Sequence, residues 1–198
     1  MSGRRSTLSV MVVGLACGAQ TLLFAQTAAP SDWRDLIYVD LRLPNEAVRS
    51  HAEIWADKLA TNNQHYARAG DTRFAAGNAP AVASSFVVRS PTRVAVLSVF
   101  NAVSACRTVQ RFERLAVTVK RCPMRLAIYD NGIGSVLDAG TGCFLEFGDP
   151  KRAFTSDRDA GSYATYEMAT RTIRTGVVIS GQAVRGCDLA IPIPPRGS

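Results

Sequence analysis

The clearest alternation of hydrophobic and polar residues lies between positions 124 and 147. Every second residue from 124 to 128 is apolar, and this period of two predicts a strand with one buried face. The Asn131-Gly132 pair follows, and both residues accept the positive φ that a type I′ hairpin turn requires. Two further apolar groups are separated by the glycine-rich segment 138–142, so the pattern predicts a three-stranded meander.

Shorter β patterns lie before and after the meander. We expect strands at 36–43, 86–88, 93–100, 163–168, 172–179 and 184–193. The fourth and fifth of these are compatible with two strands or with one long bent strand. Pro192 has no N–H to donate to a ladder, so the last strand is predicted to lie at a sheet edge or to leave the sheet.

One amphipathic helix is predicted near the start of the domain, opened by Pro44-Asn45. Asn45 is a good N-cap, and an acid follows in the first turn, where the helix dipole favours it. The apolar residues spaced along one helical face are Val48, Ala52, Trp55 and Leu59. We expect the helix to end near Asn62-Asn63 and to pack Trp55 onto the sheet. A helical turn or a second, short helix is predicted at 103–113, because the apolar residues Val96, Phe100 and Val103 that lead into it follow helical spacing.

Together the patterns predict the fold class and the domain organisation. We expect an α+β fold: a mainly antiparallel β-sheet, formed by the meander at 124–147 and the C-terminal strands, with one N-terminal amphipathic helix packed on it. A single disulfide-stabilised domain is expected at 35–193, between a linker at 26–34 and a flexible C-terminus at 194–198. A chain of 198 residues, 47% hydrophobic and 20% charged, has enough apolar material for one such core.

The first 25 residues have the pattern of a cleaved signal peptide. Arg4 and Arg5 supply positive charge, an uncharged apolar run follows at 8–16, and cleavage is expected after Ala25. This pattern predicts a periplasmic or secreted protein. The sequence ending at Cys17 also resembles a degraded lipobox, so an outer-membrane lipoprotein anchored through Cys17 is an alternative.

Four cysteines remain once the signal peptide is removed. They are Cys106, Cys122, Cys143 and Cys187, an even set that is typical of two disulfides in an exported protein. Sequence alone leaves three pairings open, and we favour the pairing of the first with the second and of the third with the fourth. None of the four has another Cys or a His within four residues, so we expect no metal site.

Positive charge is concentrated beside these cysteines. The chain has 23 Lys and Arg against 16 Asp and Glu, a formal net charge of +7. Six basic residues surround the single acid Glu113: Arg107, Arg111, Arg114, Lys120, Arg121 and Arg125. One interpretation is a patch for an anionic polymer or for lipid headgroups, and the other is an ordinary solvated face. Only Phe112 interleaves the cluster, so a nucleic-acid partner is not expected.

The sequence contains no specific catalytic motif: the nucleophile elbow, the Walker loop, the dinucleotide fingerprint and HExxH are all absent. The only histidines are His51 and His65, which could form a small hydrolase site with Glu53, Asp57 or Asp71. If one helix carried both histidines without a break, about 20 Å would separate them. This distance argues against a shared site.

An export signal, four cysteines and the lack of catalytic motifs favour a binding protein over an enzyme. We expect an exported bacterial cell-envelope protein without catalytic activity and without a cofactor. Its partner is expected to be another envelope protein, for example within an envelope or secretion complex. The alternatives are a small envelope hydrolase that uses His51 or His65 and the lipoprotein anchored through Cys17.

Overall fold

A computed structural model describes residues 34–42, 46–74, 77–149, 151 and 160–196. The predicted signal peptide, Cys17, most of the predicted linker and the Asn45 cap therefore lie outside the described residues. Of the predicted flexible C-terminus, the structure describes 194–196.

The described part of the chain is mainly β-structure with two helices. The strands are β1 (Arg34–Asp35), β2 (Ile37–Asp40), β3 (Val82–Ser90), β4 (Arg93–Asn101), β5 (Arg107–Phe112), β6 (Val117–Asp130), β7 (Ile133–Phe147), β8 (Ala160–Glu167), β9 (Thr172–Ile179), β10 (Gln182–Ala183) and β11 (Leu189–Pro192). The helices are α1 (Glu46–Ile54) and α2 (Ala56–Arg68), and short 3₁₀ turns occupy Thr72–Phe74 and Glu113–Leu115. The fold is thus α+β and rich in antiparallel sheet.

The strands form two antiparallel sheets. In one, β8 and β9 form a central hairpin, with β1 beside β8 and with β10 and β11 beside β9. In the other, the order is β2-β3-β4-β6, and β6 also pairs with β5 and β7. Between β1 and β2 the chain crosses from the first sheet to the second at the buried Leu36. The sequence predicted one strand at 36–43, but β2 occupies only Ile37–Asp40, because the chain crosses between the sheets at Leu36 and turns at 41–42.

The central strand β6 changes its neighbour along one side. Its first half pairs with β5 and its second half with β4, while β7 follows it along the other side. Pro123 lies between Arg121, which pairs with β5, and Met124, which pairs with β4. A proline is tolerated in this interior strand because the ladder on that side is interrupted at its position.

The main core fills the space between the two sheets. It joins Leu97 of β4 and Leu126 of β6 to Ala164 of β8, Ile173 of β9 and Ile191 of β11. A second apolar cluster lies between the helices and the sheet that contains β4. In that cluster the wholly buried Trp55 stacks on Phe100 at a centroid distance of 5.1 Å, and its Nε1 donates to Ser98 Oγ at 2.9 Å.

The helical segment is longer than predicted and is interrupted at Trp55. The expected end at Asn62-Asn63 is wrong, because α2 continues to Arg68. Both asparagine side chains bind the chain beyond the helix instead: Asn62 donates to the carbonyl of Pro80, and Asn63 accepts from the N–H of Ala79. They anchor the helix to the segment that leads into β3 and do not terminate it.

The predicted three-stranded meander is in fact a long two-stranded hairpin, β6 and β7. The turn was correctly located, since Asn131 and Gly132 have φ of 50° and 86°. The second expected turn, at 138–142, is a β-bulge opposite Pro123 and Arg125. Gly140 adopts φ of 81° there and its N–H donates to the Asp138 carboxylate, so the residues typical of a turn serve the bulge.

The helix predicted at 103–113 is wrong, because most of this segment forms strand β5. The Cys106–Cys122 bridge holds the start of β5 beside β6, with a Cα–Cα distance of 4.5 Å. Five residue pairs then join β5 to β6. The helical spacing of the apolar residues is thus overridden by pairing with β6, the strand that follows after four residues.

The C-terminal strands follow the sequence pattern in part: of the strand expected at 184–193, only Leu189–Pro192 is strand, because 184–188 form the loop that carries Cys187. β8 and β9 are two separate strands, and β11 pairs only with β9 among the described strands, as expected for a strand that carries Pro192. The chain continues beside the sheets: the Pro194 carbonyl accepts from Arg171, and the Arg196 guanidinium contacts Thr92 and Asp130.

Candidate functional site

The four cysteines form two disulfides. Cys106 is joined to Cys122 and Cys143 to Cys187, the pairing favoured from the sequence. The first bridge lies where β6 changes neighbour, and the second ties β7 to the loop before β11. All but Cys106 are buried. The bridges therefore belong to the framework of the domain, and both lie within apolar clusters.

The six basic residues of the predicted patch do not share one face of the sheet. Arg107 pairs with Arg121 across the strands, whereas Arg111 pairs with Thr118. A bulge at Val109 shifts the register between these pairs, so Arg107 and Arg111 point to opposite faces although their positions have the same parity. Alternation along β6 likewise separates Arg121 from Lys120.

Three members of the predicted patch are engaged within the domain. Lys120 Nζ lies 2.5 Å from Glu146 Oε1, and Arg121 donates to the carbonyl of Gly186. Arg125 binds both carboxylate oxygens of Asp57 and the Ile54 carbonyl, and lies over the Trp55 ring. The remaining three, Arg107, Arg111 and Arg114, are exposed on β5 and the turn after it.

The predicted histidine site gains little support from its expected acidic partners. His51 is half-buried in α1, and His65 is exposed in α2. The Arg125 guanidinium lowers the pKa of Asp57 to about 2, and Arg73 lowers the pKa of Asp71 below its ordinary value. A carboxylate with so low a pKa is a weak general base. The hydrolase remains an untested prediction.

A cleft that the sequence did not predict opens at one end of the two sheets. It is lined by the ends of β3 and β8, the start of β4, the β8–β9 turn and the segment after β11, and its volume is about 460 Å³. An adjoining cavity of about 310 Å³ shares four lining residues with it: Val88, Arg89, Tyr166 and Met168. These volumes lie within the usual range of small-molecule sites, roughly 300–1,000 Å³.

The cleft combines an apolar floor with a basic rim. The apolar side chains include Val88, Ala95, Tyr166, Met168 and Ile193. Four arginines line it, and we call it the arginine cleft after them: Arg89, Arg93, Arg171 and Arg196. No acidic side chain is among the described residues that line it.

A single carboxylate faces two of the four arginines. Asp130 Oδ1 lies 3.4 Å from Arg93 Nε and 3.4 Å from Arg196 Nε. Arg93 Nε is thus in an ion pair without hydrogen-bond geometry, and the buried Nη1 of the same side chain has no hydrogen-bond acceptor among the described residues. A buried donor without an acceptor costs about 1–3 kcal/mol. Such costs are typical of functional sites, where stability is not the only requirement.

The other two arginines are more accessible. The Arg89 side chain is exposed at the end of β3, and neither a hydrogen bond nor an ion pair joins it to another described residue. Arg171 is exposed before β9 and donates one hydrogen bond to the Pro194 carbonyl. Both guanidinium groups therefore retain N–H donors for a ligand, since each guanidinium carries five.

Sequence reasoning missed the arginine cleft because its residues come from distant segments. Arg89 and Arg93 flank the turn between β3 and β4, Arg171 precedes β9, and Arg196 follows β11. The one local signal is Arg89-Ser-Pro-Thr-Arg93, two arginines around a proline turn. These two arginines become part of a cleft only because the β8–β9 turn, which carries Arg171, lies beside them in the fold.

No family model, curated protein or solved structure matches the chain. No helix within the described ranges is both long enough and apolar enough to cross a lipid bilayer. The same residues contain no group of three or more His, Cys, Asp or Glu side chains placed to hold a metal ion.

Proposed function

We propose that the protein is an exported cell-envelope binding protein that recognises its ligand or partner at the arginine cleft. The ligand class is an anion with an apolar portion: the anionic group binds the arginines, and the apolar portion enters the cleft. The observation that carries this proposal is the presence of four arginines around an apolar cavity that no acidic described residue lines.

The charge of the cleft supports an anionic ligand. Two of its four arginines share Asp130, and the other two have no carboxylate partner among the described residues. Arginine binds carboxylate and phosphate through two parallel N–H donors, which gives orientation as well as affinity. The shared chemistry of carboxylates and phosphates thus suits this rim.

The apolar floor supports a ligand that is more than a simple ion. Tyr166 and Val88 lie between the two adjoining cavities, and Met168, 79% exposed, stands at their rim. Burial of apolar surface provides about 25 cal/mol per Å². A ligand that places an alkyl or aromatic group over this floor gains affinity that an inorganic anion cannot.

The disulfides support the proposed compartment. Bridges persist in oxidising environments such as the periplasm or the exterior of the cell, and are rare in the cytosol. Together with the predicted signal peptide, they favour a protein that meets its ligand in the envelope. Exported binding is therefore consistent with both the disulfide framework of the domain and the arginine cleft.

The proposal is tested by calorimetric titration with amphiphiles that share one alkyl chain. Dodecanoate and dodecyl phosphate, below their micelle concentrations, are expected to bind, whereas neutral dodecyl maltoside is expected to bind at least about tenfold more weakly. The double variant Arg89→Gln/Arg171→Gln should lose most of the affinity for the anions. Both side chains are exposed, so the fold should tolerate their replacement.

The matched control is the double variant Arg107→Gln/Arg111→Gln. It removes the same charge from exposed strand positions outside the cleft. The control should retain wild-type affinity. Equal weakening in the two double variants, or equal affinity for the anionic and the neutral amphiphiles, would show that the cleft is not the site. A loss of affinity in the control variant alone would indicate that the binding site lies on β5.

A further inference from the structure

A lysine, an asparagine and a glutamate meet at the end of β4 that lies away from the arginine cleft. Asn101 is the last residue of β4, Lys120 lies on β6 and Glu146 lies on β7. Lys120 Nζ is 2.5 Å from Glu146 Oε1 and 3.5 Å from Asn101 Oδ1. Asn101 Nδ2 donates to the same Glu146 oxygen at 3.2 Å. An amine, an amide and a carboxylate are thus in mutual contact.

The pairing of the strands brings the three side chains to one face. Lys120 pairs with Phe144 on β7, and Glu146 lies two residues further along that strand. Asn101 lies two residues beyond Val99 on β4. Phe144 and Val99 both belong to the main core between the sheets. Because side chains two residues apart share a face, all three groups lie on the side of the sheet that faces this core.

The three groups are restrained and partly shielded from water. Asn101 is buried, the Lys120 side chain is largely buried, and Glu146 is half-buried. Groups held together in this way react as if they were highly concentrated, and effective molarities reach about 10⁵–10⁸ M for well-oriented pairs. A reaction that is too slow between free side chains can therefore occur here.

We propose that Lys120 and Asn101 join in an intramolecular amide bond, with Glu146 as the catalytic residue. In the product, Lys120 Nζ is bonded to Asn101 Cγ, and Asn101 Nδ2 has left as ammonia. The proposal concerns a covalent modification of the framework and is independent of the arginine cleft. The observation that carries it is the contact of one carboxylate oxygen with both of the nitrogens that exchange.

The step balances without an oxidant, a metal or another co-reactant. Glu146 accepts one proton from the Lys120 ammonium, and the neutral amine attacks Asn101 Cγ. As the new C–N bond forms, Nζ loses a second proton and the bond from Cγ to Nδ2 breaks. Nδ2 gains one of the two protons and leaves as ammonia, and the other proton remains on Glu146 until water takes it. Glu146 Oε1 can carry these protons because it contacts Nζ and Nδ2 at once.

The chemistry of the three groups makes Asn101 the acceptor of the lysine. The negative charge of an ionised carboxylate opposes attack by an amine, whereas the amide carbonyl is neutral. An ionised carboxylate also accepts protons, so Glu146 suits the transfer of protons better than the acceptor role. The flexible stem of Lys120 allows Nζ to move from Oδ1 to the adjacent carbon.

The bond adds a second cross-link to one region of the domain. It joins β4 to β6 and closes a loop that contains β5, much as the Cys106–Cys122 bridge does. A disulfide is opened by thiols, whereas an amide is not. The domain therefore keeps a covalent link around β5 under conditions that reduce the bridge.

The test is a peptide map of the purified wild-type protein, reduced and then digested with trypsin. Trypsin cuts after lysine and arginine but not after an acylated lysine, so we expect peptide 94–107 joined to peptide 115–121. The joined species should be lighter than the sum of its two peptides by one ammonia. Fragmentation should place the link between Asn101 and Lys120.

Two pairs of variants separate the reaction from an ordinary ion pair. Lys120→Arg keeps the charge but removes the amine, and should abolish the link, whereas Lys58→Arg on α2 should preserve it. Glu146→Gln should reduce the linked fraction at least about tenfold, because general acid–base catalysis contributes about 10²–10⁴-fold. Glu167→Gln is its matched control, since Glu167 is similarly exposed and also paired with a cation, and should leave the link intact.

The wild-type map decides the proposal even if a variant fails to fold. Recovery of 94–107 and 115–120 only as separate peptides, after prolonged incubation of the folded protein, would overturn it. A link between Lys120 and Glu146 with loss of water would overturn Asn101 as the acceptor. A fully linked Glu146→Gln variant would overturn the catalytic role of Glu146.

Discussion

Removal of the Cys143–Cys187 bridge should destabilise the protein more than removal of the Cys106–Cys122 bridge. The two bridges join residues 44 and 16 apart. A cross-link restricts the unfolded chain by an amount that grows with the logarithm of the loop length, which gives about 4 kcal/mol for the longer loop and about 3 kcal/mol for the shorter. The expected difference is about 1 kcal/mol.

The burial of the cysteines also predicts a greater loss of stability when the Cys143–Cys187 bridge is removed. Cys143 and Cys187 are both buried, with 6% and 1% of their surface exposed, and belong to the cluster that contains Val119 and Leu145. Cys106, by contrast, is only half-buried. Replacement by alanine avoids placing a new hydroxyl in these clusters, so the loss should remain close to the loop-entropy values.

The assay compares the double variants C106A/C122A and C143A/C187A by urea unfolding, followed by far-ultraviolet circular dichroism. We expect both midpoints to fall and that of C143A/C187A to fall further. The wild-type protein under reducing conditions is the control and should be less stable than either variant. An equal or greater loss in C106A/C122A, or a loss below about 1 kcal/mol in both, would refute the reasoning.

Three further substitutions test individual contacts by thermal or urea unfolding. Trp55→Phe removes the donor to Ser98 and part of the stack on Phe100, so the free energy of unfolding should fall by about 2 kcal/mol. No measurable fall would contradict the packing of the helices on the sheet. Gly176→Ala would place a Cβ against the Tyr163 ring on the paired strand and should cost at least about 2 kcal/mol, whereas a neutral result would contradict that contact. Asp57→Asn tests the Arg125 pair: because the folded pKa is lowered from 3.8 to about 2, the pair stabilises above pH 3.8 and loses its effect as the pH falls toward 2. The Asp57 side chain is 59% exposed, so the loss near pH 7 should be about 1 kcal/mol or less, and an equal loss at pH 2 would contradict the assignment.

Features that depend on a few adjacent residues could be predicted from the sequence. The Asn131-Gly132 turn was found because its backbone requirement is local. Of the strand expected at 184–193, the part at Leu189–Pro192 was located correctly, because alternation and Pro192 both describe an edge strand. The segment 138–142 shows the limit of such signals, since Asp138 and Gly140 serve a bulge as readily as a turn.

Features that depend on which strands pair, and in which register, could not be predicted. The start of β5 is held beside β6 by the Cys106–Cys122 bridge, and that contact overrides the helical spacing of its apolar residues. The bulge at Val109 then reverses the parity of Arg107 and Arg111. A contiguous basic cluster in the sequence is thus divided between two faces, while four separated arginines meet at one cleft.

The most direct test of the arginine cleft as the binding site is a titration of isotope-labelled protein with dodecanoate, followed by amide resonances. We predict that the shifted resonances belong to residues 86–95, 165–171 and 193–196, which surround the cleft. The amides of β5, Arg107–Phe112, should remain unchanged. Shifts confined to β5, or no shifts at saturating ligand, would contradict the account.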